Sequence, residues 1–345
     1  MLNKFSCRTS RIVMASVLAA LTTSAANALS QKIGNFDFRL NGYGTAGFFE
    51  KQEDPLFLGD FSIRAQALYN PTNSQTFGLV YVMDATALDE EEWFHQAFGF
   101  WQWRGVGRIE AGFTESVAQK LGLGLPDVSG LKLNENSWIY KKMGSDGPVI
   151  ANTILTCGHD ALRVNVVSAS NSYSQYGFSV SGLTDEYDFG VDMGLKLKQP
   201  SGKVKTAVSF GASFINQLDG YSSDTFSPKT TADWRAQVST GLNVQYNSWI
   251  FGLNARVIYD EHPQGAVTDG VAAGAGVSYD LLNYTLSLSY ILSDTGIWHD
   301  YADNYVDNTA VLSFRYKYSK YIDVWASGGA SRKEPFLSAG LRLIF

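Results

Sequence analysis

Four histidines (His95, His159, His262 and His299) and two cysteines (Cys7 and Cys157) are the side chains best suited to metal binding or nucleophilic catalysis. Such chemistry needs its groups at short, fixed spacings, as in paired histidines one helical turn apart or cysteines two residues apart. None of the six stands in such a motif, so the sequence offers no catalytic residue, no metal ligand set and no cofactor site. Asp294, Asp300, Asp303 and Asp307 supply enough oxygens for calcium but lack the loop pattern that orders them. They read as a solvated acidic loop. With 33 acidic against 27 basic residues and no basic cluster, the chain is not a nucleic-acid partner. The charges with regular placement are of another kind. Arg39, Arg64, Arg163 and Arg256 each occupy the polar parity of a segment that alternates polar with apolar residues. Glu115, Lys120, Asp127, Lys132 and Glu135 crowd one long connection. Charges arranged around a water-filled space discriminate between ions, and that is the chemistry this pattern supports.

The elements that must position these charges are strands. The chain is 45% hydrophobic and 14% aromatic but only 17% charged, and it holds 33 glycines against 8 prolines. An average soluble domain carries about 25% charged residues. Phe36, Phe38, Leu40 and Phe48 alternate with Asp37, Arg39, Asn41 and Thr45, and Leu337, Ala339, Leu341, Leu343 and Phe345 with Ser338 and Arg342. Period two is the mark of a strand with one apolar face. Sixteen such segments begin near residues 36, 60, 75, 92, 106, 159, 176, 188, 204, 233, 249, 270, 284, 308, 321 and 336. All eight prolines fall between them, as they must, because proline cannot donate to a ladder. Short turns such as Asn247–Ser248 alternate with long loops, of which Thr114–Gly158 is the longest. Tyr69, Trp103, Tyr176, Trp249, Tyr284 and Tyr321 flank the short turns. An even strand number, one rim of short turns, one of long loops and an aromatic girdle predict an all-β, antiparallel up-and-down barrel that crosses a membrane. Its apolar face then meets lipid and its polar face lines the lumen.

The start of the chain is a separate object. Lys4, Arg8 and Arg11 precede an apolar stretch, Ile12 to Thr23, and Ala26-Asn27-Ala28 has the small-x-small form of a cleavage site. Residues 1–28 are therefore expected to be a signal peptide, leaving 29–345 as a single barrel domain. Cleavage removes Cys7, so Cys157 has no intrachain partner, and the net charge falls from −6 to about −9.

On these features the sequence resembles a general diffusion porin of the Gram-negative outer membrane. Ser338-Ala-Gly-Leu-Arg-Leu-Ile-Phe345 is similar to the porin C-terminal strand, whose final Phe is read by the outer-membrane barrel assembly machinery. Val106-Gly-Arg-Ile-Glu-Ala-Gly112 resembles the fifth porin strand, which precedes a third loop folded into the lumen. The resemblance implies a homotrimer of sixteen-stranded barrels in outer-membrane lipids, each passing small hydrophilic solutes and ions passively. It implies no enzymatic activity and no cofactor. A short helix is expected between Glu115 and Leu121, with Glu115, Asp127 and Glu135 facing wall residues such as Arg64 across the constriction. The family often carries a clearly acidic third loop, whereas Lys120 and Lys132 mix the signs here, so the expected ion preference is weak and slightly cationic. The alternatives are a sugar-selective channel, for which Trp138 and Tyr140 are the candidate track, and a barrel used as scaffold by an enzyme or adhesin.

Overall fold

The computed structural model describes residues 29–51, 54–87, 91–128, 161–168, 173–182, 189–218, 232–261, 267–295, 306–331 and 334–345. A five-residue strand, β1 (Leu29–Ile33), precedes sixteen longer ones. These are β2 (Phe36–Lys51), β3 (Asp54–Thr72), β4 (Gln75–Ala87), β5 (Glu91–Trp103), β6 (Gly107–Thr114), β7 (Ala161–Ser168), β8 (Ser174–Gly182) and β9 (Phe189–Gln199). They continue as β10 (Val204–Leu218), β11 (Ala232–Tyr246), β12 (Trp249–Glu261), β13 (Val267–Leu281), β14 (Tyr284–Thr295), β15 (Val306–Lys317), β16 (Ile322–Ser331) and β17 (Glu334–Ile344). One short helix, α1 (Val117–Leu121), follows β6. Each long strand pairs antiparallel with its chain neighbours, and β17 returns to pair with β2, closing a sixteen-stranded barrel. Closure removes the free edges that an open sheet would expose.

The seam has a particular construction. β17 follows β2 from the pair Phe336 and Lys51 down to Ile344 and Tyr43. Gly42 and Phe345 then exchange two backbone hydrogen bonds, of 2.8 and 2.9 Å. From there β1 takes over the same edge, pairing Leu29 with Leu40 through to Ile33 with Phe36. Gly34, at φ 60°, turns the chain from β1 into β2. Two-residue hairpin turns demand positive φ, and Asn247 at 51° and Leu282 at 54° supply it elsewhere on the same rim.

Alternation decides the two faces. On β12, Trp249, Phe251, Leu253, Val257 and Tyr259 point out and are exposed, while Asn254 and Arg256 point in and are buried. The outward aromatics pack against one another along the short-turn rim, as in Trp249 with Tyr279 and Tyr284 with Tyr316, tilted pairs with centroids 4.5 and 4.9 Å apart. So continuous an exposed apolar belt is stable only against hydrocarbon.

Three details depart from the sequence expectation, the first being that Pro55 and Pro71 lie within β3 and Pro335 within β17, next to the strand ends, instead of between strands. β1 is an additional short strand, and β3 starts at Asp54 rather than near residue 60. The inner face is also not uniformly polar. Ile215, Ile258, Ile291, Val311, Trp325 and Phe336 point inward and are almost wholly buried. A position shielded from water has no need of a polar side chain, so the inward parity tolerates these.

Candidate functional site

The connection leaving β6 turns inside the barrel at once. Ser116 caps α1, its hydroxyl accepting from the Gln119 amide at 3.1 Å. The helix ends where the Gly122 amide reaches the Ala118 carbonyl at 3.0 Å. A helix this short gains little from its own hydrogen bonds, so the wall beneath must hold it. That wall is made of small residues. Gly177, Gly194 and Gly211 pair across β8, β9 and β10 to form a shelf. A Cβ added at Gly194 would lie 2.7 Å from the Val117 carbonyl oxygen. Val117 and Leu121 are buried against Val167, and the Val117 amide donates to Ser179 Oγ at 2.7 Å.

Beyond α1 the chain continues as an extended strap along the inner wall. The Leu123 amide donates to Ser209 Oγ at 3.1 Å, and its carbonyl accepts from Asn254 Nδ2. The Gly124 carbonyl accepts from Asn243 Nδ2 at 3.3 Å. Pro126 seats against Gly252 and Gly276, where any side chain would intrude, and the Val128 amide donates to Ser287 Oγ at 3.1 Å. Residues 115–128 thus cross the inner face of eight strands, β7 to β14. The described beginning of the long third loop, up to Val128, lies inside the lumen.

A charged knot ties the root of this strap. Glu110 on β6 pairs with Lys120 of α1 and with Arg108 Nε at 2.8 Å. It also accepts from Asn165 Nδ2 at 2.9 Å, and the same amide donates to the Glu115 carbonyl at 3.0 Å. Lys120 donates to Thr114 Oγ1 at 2.8 Å. Burial pushes the Lys120 ammonium below the usual lysine range, and the Glu110 carboxylate works against that shift. The Arg108 guanidinium lies over the Phe100 ring at 3.6 Å, close enough for a cation–π attraction. Beside the knot, Arg163 Nη1 and Asp192 Oδ2 form an ion pair at 3.2 Å with both side chains fully buried.

The predicted site residues therefore divide. Glu115, Lys120 and Asp127 lie on the strap within the lumen, and Lys132, Glu135, Trp138 and Tyr140 lie outside the described residues. Arg39 points inward at the short-turn rim, where its Nε donates to Asp37 at 2.9 Å. Arg64 stands on the inner wall, partly exposed, several strands round from β7–β10, against which α1 packs. Arg163 and Arg256 have the expected inward parity but are 2% and 3% exposed. Arg163 is paired with Asp192, and Arg256 donates to Gln237 Oε1 at 2.6 Å. The Arg163 charge is met within the wall by the Asp192 carboxylate. Sequence reasoning missed Arg108, Glu110 and Asp192, although each shares the inward parity of its strand. It also missed Phe98 and Phe100, which point inward from a strand aromatic on both faces. Among the described residues no three His, Cys, Asp or Glu side chains gather as metal ligands.

The closed barrel, its lipid-facing belt and the segment 115–128 seated within define a class: a sixteen-stranded transmembrane β-barrel with a porin-type fold. Solved structures share this fold. The trimer form of OmpT, an outer-membrane protein of Vibrio cholerae, is similar over 90% of this chain and 99% of its own, with TM-score 0.64 and 12% identity. OmpF of Salmonella typhi, in complex with daunomycin, matches over 92% of this chain and 100% of its own, with TM-score 0.64 and 10% identity. An anion-selective porin from Comamonas acidovorans matches over 90% and 100%, with TM-score 0.61 and 10% identity. No family model matches the sequence, and no curated protein matches it.

Proposed function

We propose that this protein is an outer-membrane channel, a water-filled pore through which small hydrophilic solutes and ions diffuse passively. No cofactor, energy coupling or reaction on the solute belongs to this reading. The observation that carries it is the strap of residues 115–128. A barrel of sixteen strands is too wide to be filled by its own side chains. A loop fastened along one wall narrows such a lumen without sealing it. Its fastening to glycine, serine and asparagine seats holds this segment in place within the lumen. The names of the similar structures, outer-membrane proteins and a porin, support the same reading. Export through a signal peptide cleaved after Ala28, and reading of the Phe345 end by the barrel assembly machinery, belong to the proposal.

A homotrimer is proposed with it, in keeping with the trimer form named among the similar structures. The outward wall of β3 to β6 supports this. Ala65, Ala67, Ala97, Gly99 and Ala111 line a shallow depression there, beside Leu79 and Tyr81. Next to it the Tyr81 hydroxyl and His95 Nδ1 hydrogen-bond at 2.8 Å. A polar pair facing hydrocarbon is costly, so a wall covered by a second subunit suits it better than lipid. Planar bilayers containing the purified protein should show stepwise, ohmic conductance. A folded preparation that never conducts would refute the channel.

A further inference from the structure

One stretch of the inner wall carries charge that nothing in the described residues neutralises. On β9, Lys196 and Lys198 share the inward parity of Asp192 and Gly194, and on β10 Lys205 shares that of Ser209 and Ser213. The register sets Lys196 between Gln175 and Ser209, Lys198 opposite Ala207, and Lys205 opposite Gln245. Same-face neighbours on a strand lie about 7 Å apart, so the three ammonium groups make one patch across two adjacent strands. Lys198 and Lys205 are exposed and Lys196 is half-buried. Among the described residues none of the three makes an ion pair. Their inward neighbours bear amides, a hydroxyl or a methyl group. The nearest inward carboxylate on these strands, Asp192, is buried and already joined to Arg163. The patch occupies the short-turn end of the lumen, one inward step below Gly194, where α1 is seated.

We infer that Lys196, Lys198 and Lys205 form an anion-attracting site beneath the constriction, for solutes bearing carboxylate or phosphate groups. The inference rests on the channel reading above and names the solute class it favours. Lysine offers a point charge with rotatable donors and suits either anion without demanding a planar match. A concave, low-dielectric wall of one sign concentrates counter-ions near it. Gln175 and Gln245 add neutral donors on both flanks. The net charge, −6 for the whole chain and about −9 without residues 1–28, does not override this, because at physiological ionic strength charges beyond about 8 Å are largely screened. The local sign governs what passes, and it reverses the slight cation preference that net charge alone implies.

The test uses the full-length protein in planar bilayers at about 0.1 M KCl, where the Debye length is about 10 Å. Tripolyphosphate and propane-1,2,3-tricarboxylate are added to one side at a time, with reversal potentials taken under a salt gradient. The expected result is block of the wild type that is stronger from the short-turn side. In the variant Lys196→Gln/Lys198→Gln/Lys205→Gln, block should weaken about tenfold and the reversal potential should move toward cation preference. Lys317→Gln, on the inner face of β15, should change neither by more than about twofold. Block by one anion alone supports the site and assigns it to that headgroup chemistry. Should the triple variant fold poorly, Lys205→Gln, at an exposed position, should give a smaller shift of the same sign. A triple variant that conducts normally with unchanged block and reversal potential overturns the site while leaving the channel standing. A wild type that never conducts overturns the channel and, with it, this inference.

Discussion

Gly194→Val places a branched side chain under the first turn of α1. The added Cβ would sit 2.7 Å from the Val117 carbonyl oxygen and 3.1 Å from its carbonyl carbon. These are backbone atoms of a short helix and cannot swing away as a side-chain tip would. Overpacking of this kind costs about 1–3 kcal/mol. Against it stand the amide bond to Ser179 Oγ, worth about 0.5–1.5 kcal/mol, and the burial of Val117 and Leu121, worth about 1.5–3 kcal/mol each. Retention exceeds the clash, so the helix stays docked but is displaced toward the barrel axis. Single-channel conductance should therefore fall, and uptake of the larger test sugars in liposome swelling should fall more than that of small ones. The temperature at which the protein unfolds in detergent should stay nearly constant, because the strand ladder is untouched. Gly182→Ala, where an added Cβ meets nothing within 4 Å, serves as the control. If Gly194→Val folds yet leaves both conductance and sugar cut-off at wild-type values, α1 does not border the narrowest passage.

Asp192→Asn should lower barrel stability by about 3–5 kcal/mol, read as the unfolding temperature in detergent, because it breaks the buried ion pair with Arg163. Arg163→Met combined with Asp192→Leu should recover most of that loss, since a buried pair is often replaceable by apolar residues of similar volume. Deleting Phe345 removes two backbone hydrogen bonds to Gly42, about 1–3 kcal/mol together. Refolding into detergent should survive the deletion, whereas the amount reaching the outer membrane of cells should fall severalfold. Ala97→Trp fills the outward depression between Leu79 and Ala111 and should convert the proposed trimer to monomers on unheated gels without loss of β-structure.

The strand framework was legible because a half-buried strand must alternate whatever its partners are. The starts expected at 75, 204, 249 and 284 coincide with β4, β10, β12 and β14. β1 escaped notice because Leu-Ser-Gln-Lys-Ile is too short to establish a period. The inward turn of the connection after β6 was legible from its length, but the seats of residues 115–128 were not. Gly177, Gly194 and Gly211 look like scattered glycines until the register aligns them across three strands. The buried arginines show the same limit. Parity shows that Arg163 and Asp192 both face inward, yet only the stagger of β7, β8 and β9 brings them together. The sequence therefore treats each as an independent wall charge, although the pair cancels locally. The lysine patch was hidden for the opposite reason. It is defined by the carboxylates its neighbours lack, and neighbours across a sheet cannot be read along a chain.

The seam at Gly42, where Phe345 and the start of β1 meet the same strand edge, has a consequence for assembly. β17 and β2 are joined by the pairing of greatest sequence separation in the molecule, so this contact can form only once the whole chain is available. Until then, β2 from Tyr43 to Lys51, beyond the part that β1 covers, and whichever strand was last completed present bare rows of amides and carbonyls, ready to template onto another chain. Proofreading is thereby built into the topology. A product that lacks its final strand cannot become a ring and remains sticky at both ends, where a quality-control system can tell it from a finished barrel without inspecting any interior residue.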